Sequence, residues 1–213
     1  MTTGRASSGS AATTAPTPEM AWSDGAVTIP SVTEILGAIR SPAVRKVYEF
    51  WMSFWTAGRL PMLDDLDPAA IKEALPYVWI LKYEQEADRF TYLTVGDEVN
   101  RFYRRNLSGQ QVDVVMSTEL AETFKGRSRR VARNRQALHL VGKVYRLVGY
   151  DAFGERIYLP LAPSFNDDGG VLGVTDAREH IIHEQILQAT AGNIAAIRDG
   201  AYQVYDAAPR SGA

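Results

Sequence analysis

Three histidines, His139, His180 and His183, are the side chains best suited to hold a metal, and the chain has no cysteine. His180 and His183 stand at i, i+3 beside Glu179 and Glu184. On a helix that spacing could hold a metal with a carboxylate. No third ligand group is near them in sequence, so a solvated helix start is the expected role and no metal is assigned. Tyr92, Tyr103, Tyr145 and Tyr158, with Asp97 or Asp113, are the candidates for acid–base chemistry in a pocket. Their spacing does not require it, because strand tyrosines ordinarily wall a core and keep a wet hydroxyl. No nucleophile motif, phosphate-binding glycine loop or metal signature appears, so no catalytic residue is assigned.

The densest charge lies in KGRSRRVARNR, Lys125 to Arg135, with six positive side chains. Wound on a helix, Leu120, Phe124, Val131 and Leu138 fall on one side, and Lys125, Arg129, Arg130 and Arg133 on the other. This is an amphipathic helix lying on a sheet, and its basic face is expected to be solvated. A docking face for an acidic partner protein, centred on Arg129, Arg130 and Arg133, is the second use. Nucleic acid ranks third, because no aromatics are interleaved with the arginines and the net charge is -2.

Composition excludes other classes. Without cysteine there is no disulfide, thiolate nucleophile, cysteine-ligated metal or cysteinyl photochemistry, which fits a reducing compartment. No apolar run approaches the roughly 18 residues of a membrane helix, and the first residues lack a signal-peptide core. The expected location is cytoplasmic, with no membrane partner. Residues 1–28, rich in Ser, Thr, Ala, Gly and Pro, are expected to be a disordered tail, because they bury too little apolar surface to offset ordering entropy.

The elements that must position these groups are written in proline, glycine and aspartate. N-terminal helices are expected over 29–57, the first opening at Ser31 with Glu34 in capping-box spacing and the second at Ser41-Pro42. The second carries Val44, Val47, Tyr48, Trp51, Phe54 and Trp55 as its apolar stripe. Trp51, Phe54 and Trp55 are more aromatic surface than one helix needs, so part of this face is a candidate partner or subunit contact. Gly58 ends that helix and Pro61 keeps it from resuming. Asp67-Pro68 starts a short helix, and Leu75-Pro76 stops it before a strand over Tyr77 to Tyr83. A second strand follows over Asp88 to Val95, then a short helix from Asp97 to Tyr103 and a longer one from Ser117 to about Arg135. Three strands, Leu138 to Tyr150, Glu155 to Pro163 and Gly170 to Thr175, are expected to be joined by turns at DAFG (Asp151 to Gly154) and NDDGG (Asn166 to Gly170). Asp176 with Glu179 then opens a C-terminal helix over 177–200, and 201–213 is a tail. Hairpin-linked strands cannot form a parallel doubly wound sheet, so the fold class is α+β, antiparallel, with helices on one side.

The motifs GRLP (Gly58 to Pro61), DLDP (Asp65 to Pro68) and Leu75-Pro76 before a strand come first. Val95-Gly96, Leu107-Ser108-Gly109, Gly154 and LPLAPSFNDDGGVLGV (Leu159 to Val174) follow in order. Together the chain resembles a family of small stand-alone bacterial PAS-domain proteins, long catalogued as a domain of unknown function. The resemblance covers roughly residues 44–176 and implies a PAS-like domain over 58–176. It implies a five-stranded antiparallel sheet with helices on one side, plus the N-terminal and C-terminal helices, closing over a pocket. Expected walls are Trp79, Leu81, Tyr92, Phe102, Val144, Leu159 and Leu161, although alternation alone leaves the facing of each open. A flavin photosensor of this fold resembles one with a reactive cysteine, which is absent here. Haem would want an axial histidine, and His139 is the residue placed to supply one, but a hydrogen-bonded strand histidine is the plainer reading. No cofactor is therefore assigned.

What the resemblance implies is a sensory or regulatory module that is not an enzyme. With no output domain recognised in the sequence, it would act by contact with a signalling-protein partner, tuned by a small-molecule ligand in the pocket. A homodimer through the N-terminal aromatic helix or the C-terminal helix is a further expectation. A small pocket enzyme is the alternative, and nucleic-acid binding through 125–135 the next.

Overall fold

The computed structural model describes residues 32–147, 150–163, 168–182 and 202–206. Two helices come first, α1 (Val32–Ala38) and α2 (Pro42–Thr56). Ser41 caps α2 as its sequence predicts: the Ser41 hydroxyl accepts from the Val44 N–H, and Pro42 sits where a missing donor costs nothing. Gly58 follows with φ +82°, the left-handed turn that a side chain resists. Short 3-10 segments at Leu63–Asp65 and Pro68–Tyr77 carry the chain onward, the second capped by the Asp67 carboxylate accepting from Ala69 N–H. Pro76 does not end this segment; the 3-10 turns run through it to Tyr77.

Strands β1 (Val78–Glu84) and β2 (Arg89–Val95) form a hairpin. Helices α3 (Asp97–Tyr103), α4 (Val112–Val115) and α5 (Thr118–Asn134) lead to β3 (Gln136–Leu147), β4 (Tyr150–Leu161) and β5 (Gly170–Ile182). A further strand, β6 (Tyr202–Asp206), lies beside the first residues of β3. The sheet order is β2-β1-β5-β4-β3-β6, and every neighbouring pair is antiparallel.

Three expectations about the C-terminal half need correction. Asp151 to Gly154 is not a turn but part of β4. Gly154 instead sits at a register shift against β5, where a Cβ would lie 2.0 Å from the Asp176 carbonyl oxygen. A glycine in a strand marks close backbone approach as readily as a turn. The helix expected from 177 is a strand as far as Ile182, because β4 offers paired partners out to Tyr150 and the capping-box spacing is overruled by that ladder. The rest of that helix, 183–200, lies outside the described residues. Within the expected tail 201–213, residues 202–206 are strand.

The two faces of the sheet are covered by different helices. Val78, Ile80, Ile157, Leu159, Leu161, Leu172 and Val174 point to α1, α2 and the 3-10 segment, against Ile35, Ile39, Val44, Val47, Tyr48 and Trp51. Full burial of such side chains contributes about 1.5–3 kcal/mol apiece, so α1 and α2 are integral to the fold. The opposite face carries Trp79, Leu81, Tyr83, Tyr145, Tyr158 and Val171 against α3 to α5. No helix among the described residues is long and apolar enough to cross a membrane.

Candidate functional site

The face toward α3–α5 has a charge at its centre. Arg156 of β4 is 5% exposed. Its Nε donates to Thr175 Oγ1 at 2.7 Å, its Nη1 to Tyr158 Oη at 3.3 Å, and its Nη2 to the Val144 carbonyl. The guanidinium also lies 5.0 Å from the Tyr145 ring, 5.7 Å from Phe124 and 6.0 Å from Tyr158, within cation–π range. A bulge makes this possible. The β3–β4 register slips between Lys143 and Tyr145, so Val144 and Tyr145 both turn inward and the Val144 carbonyl is free of the ladder.

Aromatic rings close around that charge. Trp79 Nε1 donates to the same Thr175 hydroxyl at 2.9 Å, and its ring meets Tyr158 at 5.1 Å and Phe124 at 5.3 Å. Phe102 stacks on Tyr145 at 4.2 Å, and Tyr103 meets Tyr145 edge-on at 5.7 Å. The Tyr145 hydroxyl is buried near Thr175 and Arg156 yet makes no hydrogen bond of good geometry among the described residues. Burial pushes Tyr145 up to about 12 and raises Tyr92 and Tyr103 as well, although the Arg156 charge pulls each the other way. Those three phenols are therefore neutral at pH 7. Burial also opposes the charge on Arg156, but the tyrosine oxygens outweigh it and hold its pKa above the ordinary arginine value.

Gly173 gives the Trp79 ring its place. A Cβ there would lie 2.1 Å from Trp79 Cε2 and Cζ2. Gly173→Ala is expected to cost about 1–3 kcal/mol, as overpacking does. The check is urea unfolding followed by tryptophan fluorescence. An unchanged midpoint and spectrum would mean that the ring does not rest there.

A second polar cluster lies directly through the sheet. Register pairs Arg156 with Thr175 and, one residue earlier, Glu155 with Asp176. Alternation turns the first pair inward and the second toward α2. Glu155 accepts from Ser41 N–H at 2.6 Å, from Arg40 N–H at 3.1 Å, and lies 2.6 Å from His139 Nε2. Ser41 Oγ donates to Asp176 Oδ2 at 2.7 Å. The start of α2 is thus held by the outward side chains of the neighbouring rung of the same two strands.

The predicted site residues separate accordingly. Trp79, Leu81, Tyr92, Phe102 and Val144 gather on the inner face, but Leu159 and Leu161 belong to the face under α2. The period of two fixes this once Tyr158 is known to point inward. His139 faces α2 and bonds Glu155, so it does not reach the inner cluster as a haem ligand. His180 is on β5 rather than a helix, and His183 lies outside the described residues. Tyr92, Tyr103, Tyr145 and Tyr158 do converge, but Asp97 is exposed at the start of α3 and Asp113 pairs with Lys125 at 2.6 Å.

Trp51 is buried in its own domain, its Nε1 donating to the Pro160 carbonyl, which removes it from any outer contact surface. Phe54 and Trp55 are half-buried. The basic face of α5 is also engaged at home. Arg129 clasps Asp88 through two nitrogens at 2.6 and 2.9 Å, Arg133 Nε donates to Tyr83 Oη, and Arg130 reaches Gln136. The Arg129 bond lowers the Asp88 pKa, the sign of a charge already met. Sequence reasoning missed Arg156, Thr175, Glu155, Asp176 and Ser41 as a set. The one signal was the charged pair Glu155-Arg156 inside an otherwise apolar strand.

An antiparallel sheet ordered β2-β1-β5-β4-β3, with short helices over an aromatic inner face, defines the class of sensory α+β modules. The chain belongs to the PAS-domain family, whose model matches residues 39–176. Members of that family are typically sensory or regulatory modules rather than enzymes. None of the curated proteins compared with the chain matches it.

Proposed function

We propose that the protein is a regulatory module that acts by contact with a signalling-protein partner, and that the state of its inner cluster is passed to α2. One observation carries this reading. Adjacent rungs of the β4–β5 ladder hold the inner polar group on one face and the start of α2 on the other. A change in the Arg156–Thr175 contact displaces the backbone that positions Glu155 and Asp176. Interiors are close-packed and transmit such shifts. The contact surface is the outer side of α2 around Phe54, a half-buried ring that meets Phe50 edge-on at 5.2 Å.

Hydrogen exchange tests the coupling. Thr175→Val removes the hydroxyl shared by Arg156 and Trp79 while keeping the side-chain shape. Amides of the first turns of α2, Val44 to Tyr48, should then exchange several-fold faster than in the parent chain. Equal protection there, in a variant with unchanged circular dichroism, would sink the coupling.

A further inference from the structure

Arg156 is a buried cation with no anion beside it among the described residues. Among the described residues no carboxylate lies within 4 Å of it, whereas Arg59, Arg89, Arg129, Lys125 and Lys143 all have one. Three of its five N–H groups are used, on a hydroxyl, a phenol and a carbonyl, all uncharged. That leaves one N–H on each terminal nitrogen. Tyr92, Tyr103 and Tyr145, whose pKa values burial raises, supply no negative charge at neutral pH, and the Tyr145 hydroxyl beside the guanidinium makes no hydrogen bond of good geometry among the described residues. Taking a cation out of water costs several kcal/mol, and a hydrophobic residue of equal volume is often as stable or more so. A fold that needed only packing here would be served by leucine or methionine. The guanidinium fork matches a carboxylate through two parallel N–H bonds, and ring faces around it suit a short apolar body.

We propose that Arg156 is the recognition group for a small organic monocarboxylate bound between the sheet and α3–α5, with the Tyr145 hydroxyl as an additional donor to it. This rests on the inner cluster being the sensing site of the regulatory reading. It goes beyond that reading by naming the ligand's charge and the group that reads it. Tyr103, half-buried at the end of α3 against Tyr145, is the wall that must move to admit the ligand.

The test uses the full chain with propionate and benzoate as probes, and propionamide and benzamide as uncharged matches of the same shape. Binding is followed by Tm and by tryptophan fluorescence, since Trp79 touches the cluster, at ionic strength held constant with sodium chloride. At least one carboxylate should raise Tm saturably while its amide does not. In Arg156→Met the same carboxylate should bind at least about tenfold more weakly, the loss of one charge-assisted contact of about 1.4 kcal/mol. Arg156→Lys, which keeps the charge but not the fork, should fall between. No saturable difference between acids and amides on the parent chain overturns the proposal, whether or not the variants fold. Equal carboxylate binding by Arg156→Met overturns it too. If the acids fail while Thr175→Val still loosens α2, the ligand assignment falls alone. If the acids bind and α2 protection is unchanged in that variant, the regulatory reading falls instead.

Discussion

Trp51→Ala is expected to lower the free energy of unfolding by about 3–5 kcal/mol, the usual loss for a large aromatic removed from a core. Trp51 is fully buried between α2 and the sheet and stacks on Tyr48 at 6.2 Å. Its indole N–H bonds the Pro160 carbonyl at 2.9 Å. Truncation leaves a cavity and a buried carbonyl without its donor, two penalties that add. The measurement is urea unfolding followed by far-UV circular dichroism. A change under about 1 kcal/mol would show that α2 is not built into the core. Phe54→Ser, by contrast, alters a half-buried ring outside the core and should cost little stability. Association should therefore respond to Phe54→Ser and stability to Trp51→Ala, and light scattering separates the two.

Glu155→Ala should be comparably severe, at about 3–5 kcal/mol, because one member of a buried polar set is lost while the others stay. Two backbone N–H groups, of Arg40 and Ser41, and the His139 ring would lose their acceptor, and Ser41 and His139 are buried. The pH dependence has a definite sign. Burial alone would raise the carboxyl's pKa, but the bonds from His139, Ser41 and Arg40 outweigh it, so the folded value lies below the ordinary 4.5. A group whose folded pKa is depressed contributes stability above its unfolded pKa and loses it as pH falls through the folded value. The parent chain should thus lose stability more steeply below about pH 4.5 than Glu155→Gln, which has no charge to lose. Parallel acid-unfolding curves for the two would show that Glu155 is not held as the anion.

The inner face of the sheet and the start of α2 are joined through a few residues. Ser41 caps α2 with one lone pair and donates its proton to Asp176, and its N–H is bound by Glu155. A cap is a low-cost place to register a signal, because a shift of a few tenths of an ångström alters several hydrogen bonds at once. Arg156 lies one residue from Glu155 on the same strand, so the interior charge and the helix start share one stretch of backbone.

Much of the frame was legible without coordinates. Ser41-Pro42, Gly58 and Asp67-Pro68 specify starts and stops through their own dihedral limits and side-chain bonds, which depend on nearest neighbours alone. The aromatic and branched run of Tyr77 to Tyr83 and the alternation of Asp88 to Val95 mark strands for the same local reason. Tertiary structure decided which face each strand residue took. Leu159 and Leu161 went under α2 because parity is set by pairing across the sheet, which no single segment contains. It placed the bulge at Val144 that opens a carbonyl to Arg156, and it carried β5 past Asp176 because β4 was there to pair with it. Above all it set a guanidinium inside with no carboxylate beside it among the described residues. In the sequence Arg156 is one arginine among many, and only the partners brought to it from β3 and β5 set it apart.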